Sequence, residues 1–187
     1  MRGNRIESAK SALKIFIRSL PTGCSFQIIS FGTLNSSFRP EVVKYSESSM
    51  RDALEHIDNI GADMGGTNIM HPLESAQKLD SGNAFKKRVF ILTDGQVGDG
   101  DAVVRKAASR SESTRVFTFG LGSGCDRNLC ENTAKAGRGT CSFVSDKSSD
   151  LNGQVIRALR FASEPSLKEC SLSWNGDRQD LQEVFRN

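Results

Sequence analysis

Two apolar runs, 88-RVFILTD-94 and 115-RVFTFGLG-122, constrain this chain most. Neither alternates apolar with polar residues, so both faces of each strand must be covered. A strand buried on both faces belongs inside a sheet with helices on either side. The surrounding pattern agrees. Helical periodicity is expected over 4–20, where Ile6, Ala9, Leu13, Phe16, Ile17 and Leu20 recur at three- and four-residue steps. Asn4 with Glu7 resembles a capping box, and Pro21 with Gly23 ends the run. Further helices are expected over 47–60, 71–80, 101–111, 126–136 and 148–162. The segment 24-CSFQIISFG-32 reads as one buried strand carrying a buried Cys24. Residues 38–45, with Pro40, read as an edge strand, and 140–144 as a short one. Strands alternating with helices predict an α/β fold, doubly wound around a mainly parallel sheet. Residues 167–176 alternate and look like the first strand of a following segment. The tail 177–187 reads as a polar helix start or as disorder.

With 187 residues, the chain suits one domain. No apolar run reaches the length of a membrane helix, so no membrane partner is expected. The net charge of +3 is small and its basic residues are scattered, which argues against nucleic acid. The start, MRGNRIESAK, has no apolar signal-peptide core. Five cysteines, an odd and low number, then read as reduced thiols in an intracellular, cytoplasmic protein. Cys125 and Cys130 are too widely spaced for a zinc ribbon, and His56 and His71 follow no ligand spacing.

In open α/β sheets, ligands sit at the carboxyl ends of the strands. Asp94 ends one such strand. Thr67 follows Gly65 and Gly66 just before a helical run, and Gly95 follows Asp94. A hard divalent cation takes about six oxygen ligands, and Thr67 and Asp94 could supply two. The alternative for Thr67 is a helix N-cap of 68–80. No nucleophile elbow, phosphate loop or dinucleotide fingerprint is present. The acidic string 94-DGQVGDGD-101 departs from calcium-loop spacing at Gln96 and lacks the terminal Glu. A solvated turn with Asp99 or Asp101 as helix cap is its simpler reading, so no catalytic residue is assigned. A magnesium-dependent hydrolase or phosphotransferase is the competing reading; it would need Asp99 or Asp101 to turn back toward Asp94. A structural remnant without a ligand is a third.

The segments 3-GNRIESAKSALKIFIRSLP-21, 28-IISFG-32, 61-GADMGGTNI-69, 89-VFILTDGQV-97 and 116-VFTFGLGSG-124 resemble the von Willebrand factor type A domain. The resemblance spans about 3–163. It is nearest to members carrying a vault/inter-alpha-trypsin-inhibitor (VIT) domain and to the inter-alpha-trypsin inhibitor heavy chains. It implies a protein-binding module, not an enzyme, built on a metal-ion-dependent adhesion site for Mg²⁺ or Mn²⁺. An acidic side chain of the protein partner would complete the metal shell. Thr67 matches the family's metal-binding threonine, and Asp94 its second aspartate, which often acts through water.

The family's site begins with an Asp-x-Ser-x-Ser loop after a central first strand, immediately before the helix that here starts at Asn4. That pattern occurs nowhere in the chain, so three of five expected ligand side chains and the first strand are not represented. Thr67 and Asp94 alone are not expected to hold the metal tightly. A strand of about 5–6 residues makes ladder bonds worth about 1 kcal/mol each. It also buries side chains worth about 1.5–3 kcal/mol each. That sum rivals a whole domain's stability of about 5–15 kcal/mol. The expectation is therefore an N-terminally truncated domain, 1–163, of a larger VIT-containing protein, with 164–187 as the start of a following β segment or tail.

Overall fold

The computed structural model describes residues 4–61, 64–79, 87–94, 97–144, 151–163, 171–174 and 177–180. The chain runs α1 (Asn4–Arg18), β1 (Ser25–Phe26), β2 (Ile29–Phe31), β3 (Asn35–Ser37), β4 (Val43–Lys44), α2 (Glu47–Asp58) and α3 (Met70–Lys78). It continues β5 (Lys87–Thr93), α4 (Gly100–Ser109), β6 (Thr114–Leu121), α5 (Arg127–Ala136), β7 (Cys141–Val144), α6 (Leu151–Ser163), β8 (Ser171–Trp174) and β9 (Asp177–Asp180).

The continuous apolar strands do what their sequence requires. β5, β6 and β7 form a parallel sheet in that order, with Val89 opposite Val116 and Thr118 opposite Cys141. Alternate residues serve opposite faces. Leu92, Phe119 and Leu121 join Ala9, Ala12 and Phe16 of α1 and Val155 and Ala158 of α6 in one core. Ile91 and Val116 join Leu73 of α3, Val103 and Ala107 of α4 and Leu129 of α5 in a second, on the other face. A third core sets Ile17 of α1 and Phe26 and Ile28 against Ala53 and Ile57 of α2. The sheet is thus covered by helices on both faces, the doubly wound arrangement.

Helix ends follow their capping chemistry. Ser46 and Ser49 form a reciprocal capping box at α2. The Asp99 carboxylate accepts from Ala102 N at 3.1 Å and starts α4. Asp126 accepts from Leu129 N at 2.9 Å and starts α5. The capping box expected at Asn4 and Glu7 needs the Asn4 side chain, which lies outside the described residues.

Four expectations need correction. Residues 24–32 do not form one buried strand. They are split into β1, antiparallel to β4, and β2, antiparallel to β3. The break falls at Gln27 and Ile28, where the Gln27 side chain bonds to backbone groups. Its Oε1 accepts from Ile28 N at 2.9 Å, and its Nε2 donates to Arg39 O at 2.6 Å and Glu41 O at 2.9 Å. β2 is only half-buried, and Cys24 precedes β1 and is half-buried too. The edge strand expected over 38–45 shrinks to Val43–Lys44, since Pro40 and its neighbours lie outside any ladder. Residues 177–180 pair with β8 as an antiparallel strand, not a helix start. The remainder of that tail, 181–187, lies outside the described residues.

Candidate functional site

Among the described strands, β5 pairs with β6 on one side, and β2 pairs only with β3. Among the described residues, no strand pairs between these two edges. A cleft of about 670 Å³ occupies the gap, lined by Leu13 of α1, Ile29 and Phe31 of β2, Leu73 of α3, and Val89 and Ile91 of β5. Its walls are therefore two strand edges and the apolar flanks of two helices.

Met64, Gly65, Gly66, Thr67 and Asp94 line the same cleft. Asp94 follows directly on the last residue of β5, so the strand's carboxyl end delivers it to this position. Thr67 is delivered by the loop before α3. That loop is stitched to the turn after β2: Thr33 N donates to Met64 O at 2.7 Å, and Asn68 N donates to Gly32 O at 2.9 Å.

The glycines have specific reasons. Gly65 has φ of +66°, a left-handed conformation that favours glycine. A Cβ on Gly65 or on Gly66 would stand 3.0 Å from Thr33 Oγ1. A Cβ on Gly32 would meet Met64 Cβ and Met64 O at 2.6 Å. Gly32 and Thr33 are thus part of the scaffold that aims Thr67, which the sequence pattern alone did not reveal. The FGT triplet beside a strand was the available signal, but its partner loop lies some thirty residues away. Gly95 lies outside the described residues.

The helix-cap alternative for Thr67 does not hold. α3 begins later, with Ile69 at its N-cap and no side-chain capping bond. Asn68 Oδ1 instead accepts weakly from His71 N at 3.4 Å. Thr67 is half-buried beside the cleft, three residues ahead of the helix.

The acidic loop after β5 divides its roles. Asp99 caps α4 and Asp101 lies in that helix's first turn. Both are exposed. The cleft therefore gathers one carboxylate and one hydroxyl from the sequence-assigned set. Two oxygen donors fall well short of the roughly six that magnesium or manganese takes. Among the described residues, no group of three or more His, Cys, Asp or Glu is placed to hold a metal ion.

A parallel sheet wound by helices on both faces, with a threonine and an aspartate brought to one cleft at the carboxyl end of a strand, defines a class of α/β binding domain. The von Willebrand factor type A domain model matches residues 1–143, and the chain belongs to that family. It is 36% identical over 170 residues to von Willebrand factor A domain-containing protein 5A of Rattus norvegicus, covering 91% of this chain and 21% of that protein. A von Willebrand factor A domain-containing protein of Dictyostelium discoideum is 35% identical over 176 residues, covering 94% of this chain and 19% of its own length. The chain thus spans about a fifth of the length of these relatives.

Among solved structures, a von Willebrand factor type A protein from Catenulispora acidiphila superposes with a TM-score of 0.72 at 21% identity, covering 82% of this chain and 37% of that one. Proximal thread matrix protein 1 of the mussel byssus, in a form with a zinc-occupied MIDAS motif, superposes with a TM-score of 0.66 at 21% identity, covering 81% and 39%. These likenesses concern the fold.

Proposed function

We propose that this chain is part of a metal-dependent protein-binding module whose adhesion site is incomplete within these residues. Thr67 and Asp94 are its two ligand positions, and Gly65, Gly66 and Gly95 shape the surrounding loops. The observation that carries this reading is that Thr67 and Asp94 line one cleft, and that the cleft lies between two open strand edges. One extended segment inserted there would run beside β5 and extend the sheet. A segment ending in Asp-x-Ser-x-Ser would bring three more oxygen side chains to the same mouth. In this reading the chain is a portion of a larger protein of the VIT-containing kind, and the inserted strand precedes α1. The domain ends with α6, and β8 and β9 open a following segment.

The partner is a protein offering an acidic side chain to the metal, with no role for nucleic acid or membrane. The reading includes no catalysis. Asp99 and Asp101, the carboxylates a hydrolase would need beside Asp94, serve α4 instead. A reducing, cytoplasmic setting belongs to the same proposal and rests on the odd, low cysteine count of the sequence.

Calorimetry tests the site. The 187-residue chain is expected to give no saturable heat with Mg²⁺ or Mn²⁺ in the micromolar range. A chain extended at its N-terminus by an apolar strand and Asp-x-Ser-x-Ser is expected to melt higher and to bind Mn²⁺. Replacing Thr67 or Asp94 by Ala in the extended chain should remove that binding. Tight metal binding by the original chain would overturn the ligand assignment. Magnesium-dependent phosphatase turnover lost in Asp94→Ala would overturn the binding-module reading.

A further inference from the structure

The segment between β3 and β4 is fastened to α2 through a stack of side chains. Phe38 follows β3, and its N–H donates to Ile28 O at 2.9 Å. Its ring stands 5.1 Å from the His56 ring on α2, and 6.2 Å from the ring of Phe26, nearly parallel to it. The Arg39 guanidinium lies 4.8 Å from the same Phe38 ring and donates to Asp52 Oδ2 at 2.9 Å. Asp52 sits one turn before His56 on α2. The carbonyls of Arg39 and Glu41 accept from Gln27 Nε2 at 2.6 and 2.9 Å. Gln27, Ile28 and Val42 line the cleft, so this segment backs its wall on the β2 side.

His56 is the member of the stack whose side-chain class changes charge near neutrality. Its Nε2 is buried and has no hydrogen-bond partner among the described residues. A neutral imidazole tolerates that, because it can carry its proton on Nδ1 and leave Nε2 a bare acceptor. An imidazolium cannot, because both nitrogens are then donors, and a buried donor without an acceptor is costly. Burial, and then the charge of Arg39, both oppose the charged form. Charged neighbours come from three elements. Asp52 of α2 is bound to Arg39, and Asp58 of α2 is bound to Lys14 of α1, with Lys10 donating to the Asp58 carbonyl at 3.0 Å. Glu41 and Glu55 are exposed. Tyr45 stands edge-on to Phe26 at 6.2 Å. Arg39 is the one whose charge acts on His56.

We propose that His56 is an acid-sensitive latch: protonation of its ring detaches residues 38–42 from α2 and loosens the cleft wall on the β2 side. Moving Phe38 and Arg39 outward relieves both costs at once. Water reaches Nε2, and the two like charges part. Asp52 then exchanges one cation for another. Released from Arg39, it faces the imidazolium at the i, i+4 spacing at which opposite charges attract on a helix. The closed arrangement has Arg39 on Asp52 and a neutral His56; the open one has charged His56 on Asp52. This latch does not depend on the metal-site reading, since none of its residues is a proposed ligand.

NMR of the whole chain, titrated from about pH 7.5 to about pH 4.5, tests the latch. The His56 ring signal, assigned by its loss in His56→Gln, should titrate with a midpoint below 6.5. The amides of Arg39, Glu41 and Val42 should shift with that same midpoint, while those of β5 and β6 stay in place. Arg39→Gln should move the His56 midpoint up, toward 6.5. His56→Gln should remove the shared transition from the loop amides. Ring and loop are read together in the unsubstituted chain, so a poorly folded variant does not decide the outcome. Loop amides that hold still while the ring titrates would overturn the proposal. So would a loop transition that persists unchanged in His56→Gln.

Discussion

His56 shows how one side chain ties stability to pH. It lies on α2 with its ring 5.1 Å from that of Phe38, and its Nε2 has no hydrogen-bond partner among the described residues. Burial, and then the charge of Arg39, hold it below its ordinary value of 6.5. The unfolded chain therefore takes up this proton first as pH falls. The contribution is complete above the unfolded value and is lost as pH drops through 6.5 toward the lower folded value. Urea midpoints should accordingly decline between pH 7 and pH 5, and His56→Gln should flatten that decline. An unchanged slope in the variant would rule His56 out as its source. Glu74 acts in a more acidic window. Its hydrogen bond to Lys106, and then that residue's charge, hold it below 4.5, so its share is lost as pH falls below that value.

At the scale of elements, the contact between the β2 turn and the loop before α3 is the junction most sensitive to a small change. Backbone atoms of Met64 and Gly65 stand 2.6 and 2.7 Å from where a Gly32 Cβ would be. Backbone cannot swing aside as a flexible side chain can, so Gly32→Ala must displace residues 64–68. A loss of about 1–3 kcal/mol is expected in urea unfolding, and the displaced Thr67 should weaken Mn²⁺ binding in the strand-extended chain. The sequence exposed some elements and hid others for physical reasons. β5 and β6 were legible because burial on both faces leaves no polar alternation. α4 was legible in part because Asp99 or Asp101 offered a cap, and Asp99 is the one that serves. Residues 24–32 were misread because the apolar run was taken as one uninterrupted ladder. Gln27 bonding across to Arg39 and Glu41 is a tertiary event with no local signature. Thr67 and Asp94 were singled out from the glycine turn and the strand end, and they line one cleft; their assignment as metal ligands came from the family resemblance, since spacing alone favoured a helix cap for Thr67.

At the scale of the whole molecule, the three hydrophobic cores draw their buried members from Ala9 through Ala158. β8 and β9 pair with each other and, among the described strands, with no others. A chain ending at Ser163 is therefore expected to keep a single cooperative thermal transition, within about 2 °C of the full chain, a shift worth well under 1 kcal/mol. A large drop would place the terminal segment inside the domain rather than after it. The doubly wound class was predictable from alternation of element types. The expectation of a missing first strand came from the family pattern; the structure describes a cleft of about 670 Å³ lined by β2 and β5.

The strand order β5-β6-β7 also bears on how the chain folds. These strands are consecutive in sequence and adjacent in space, each joined to the next by a single helix, the shortest kind of crossover a parallel pair allows. β2 and β3 pair as a local antiparallel hairpin and so close a shorter loop than either parallel pair. A segment entering the proposed gap would meet walls that the described residues already supply.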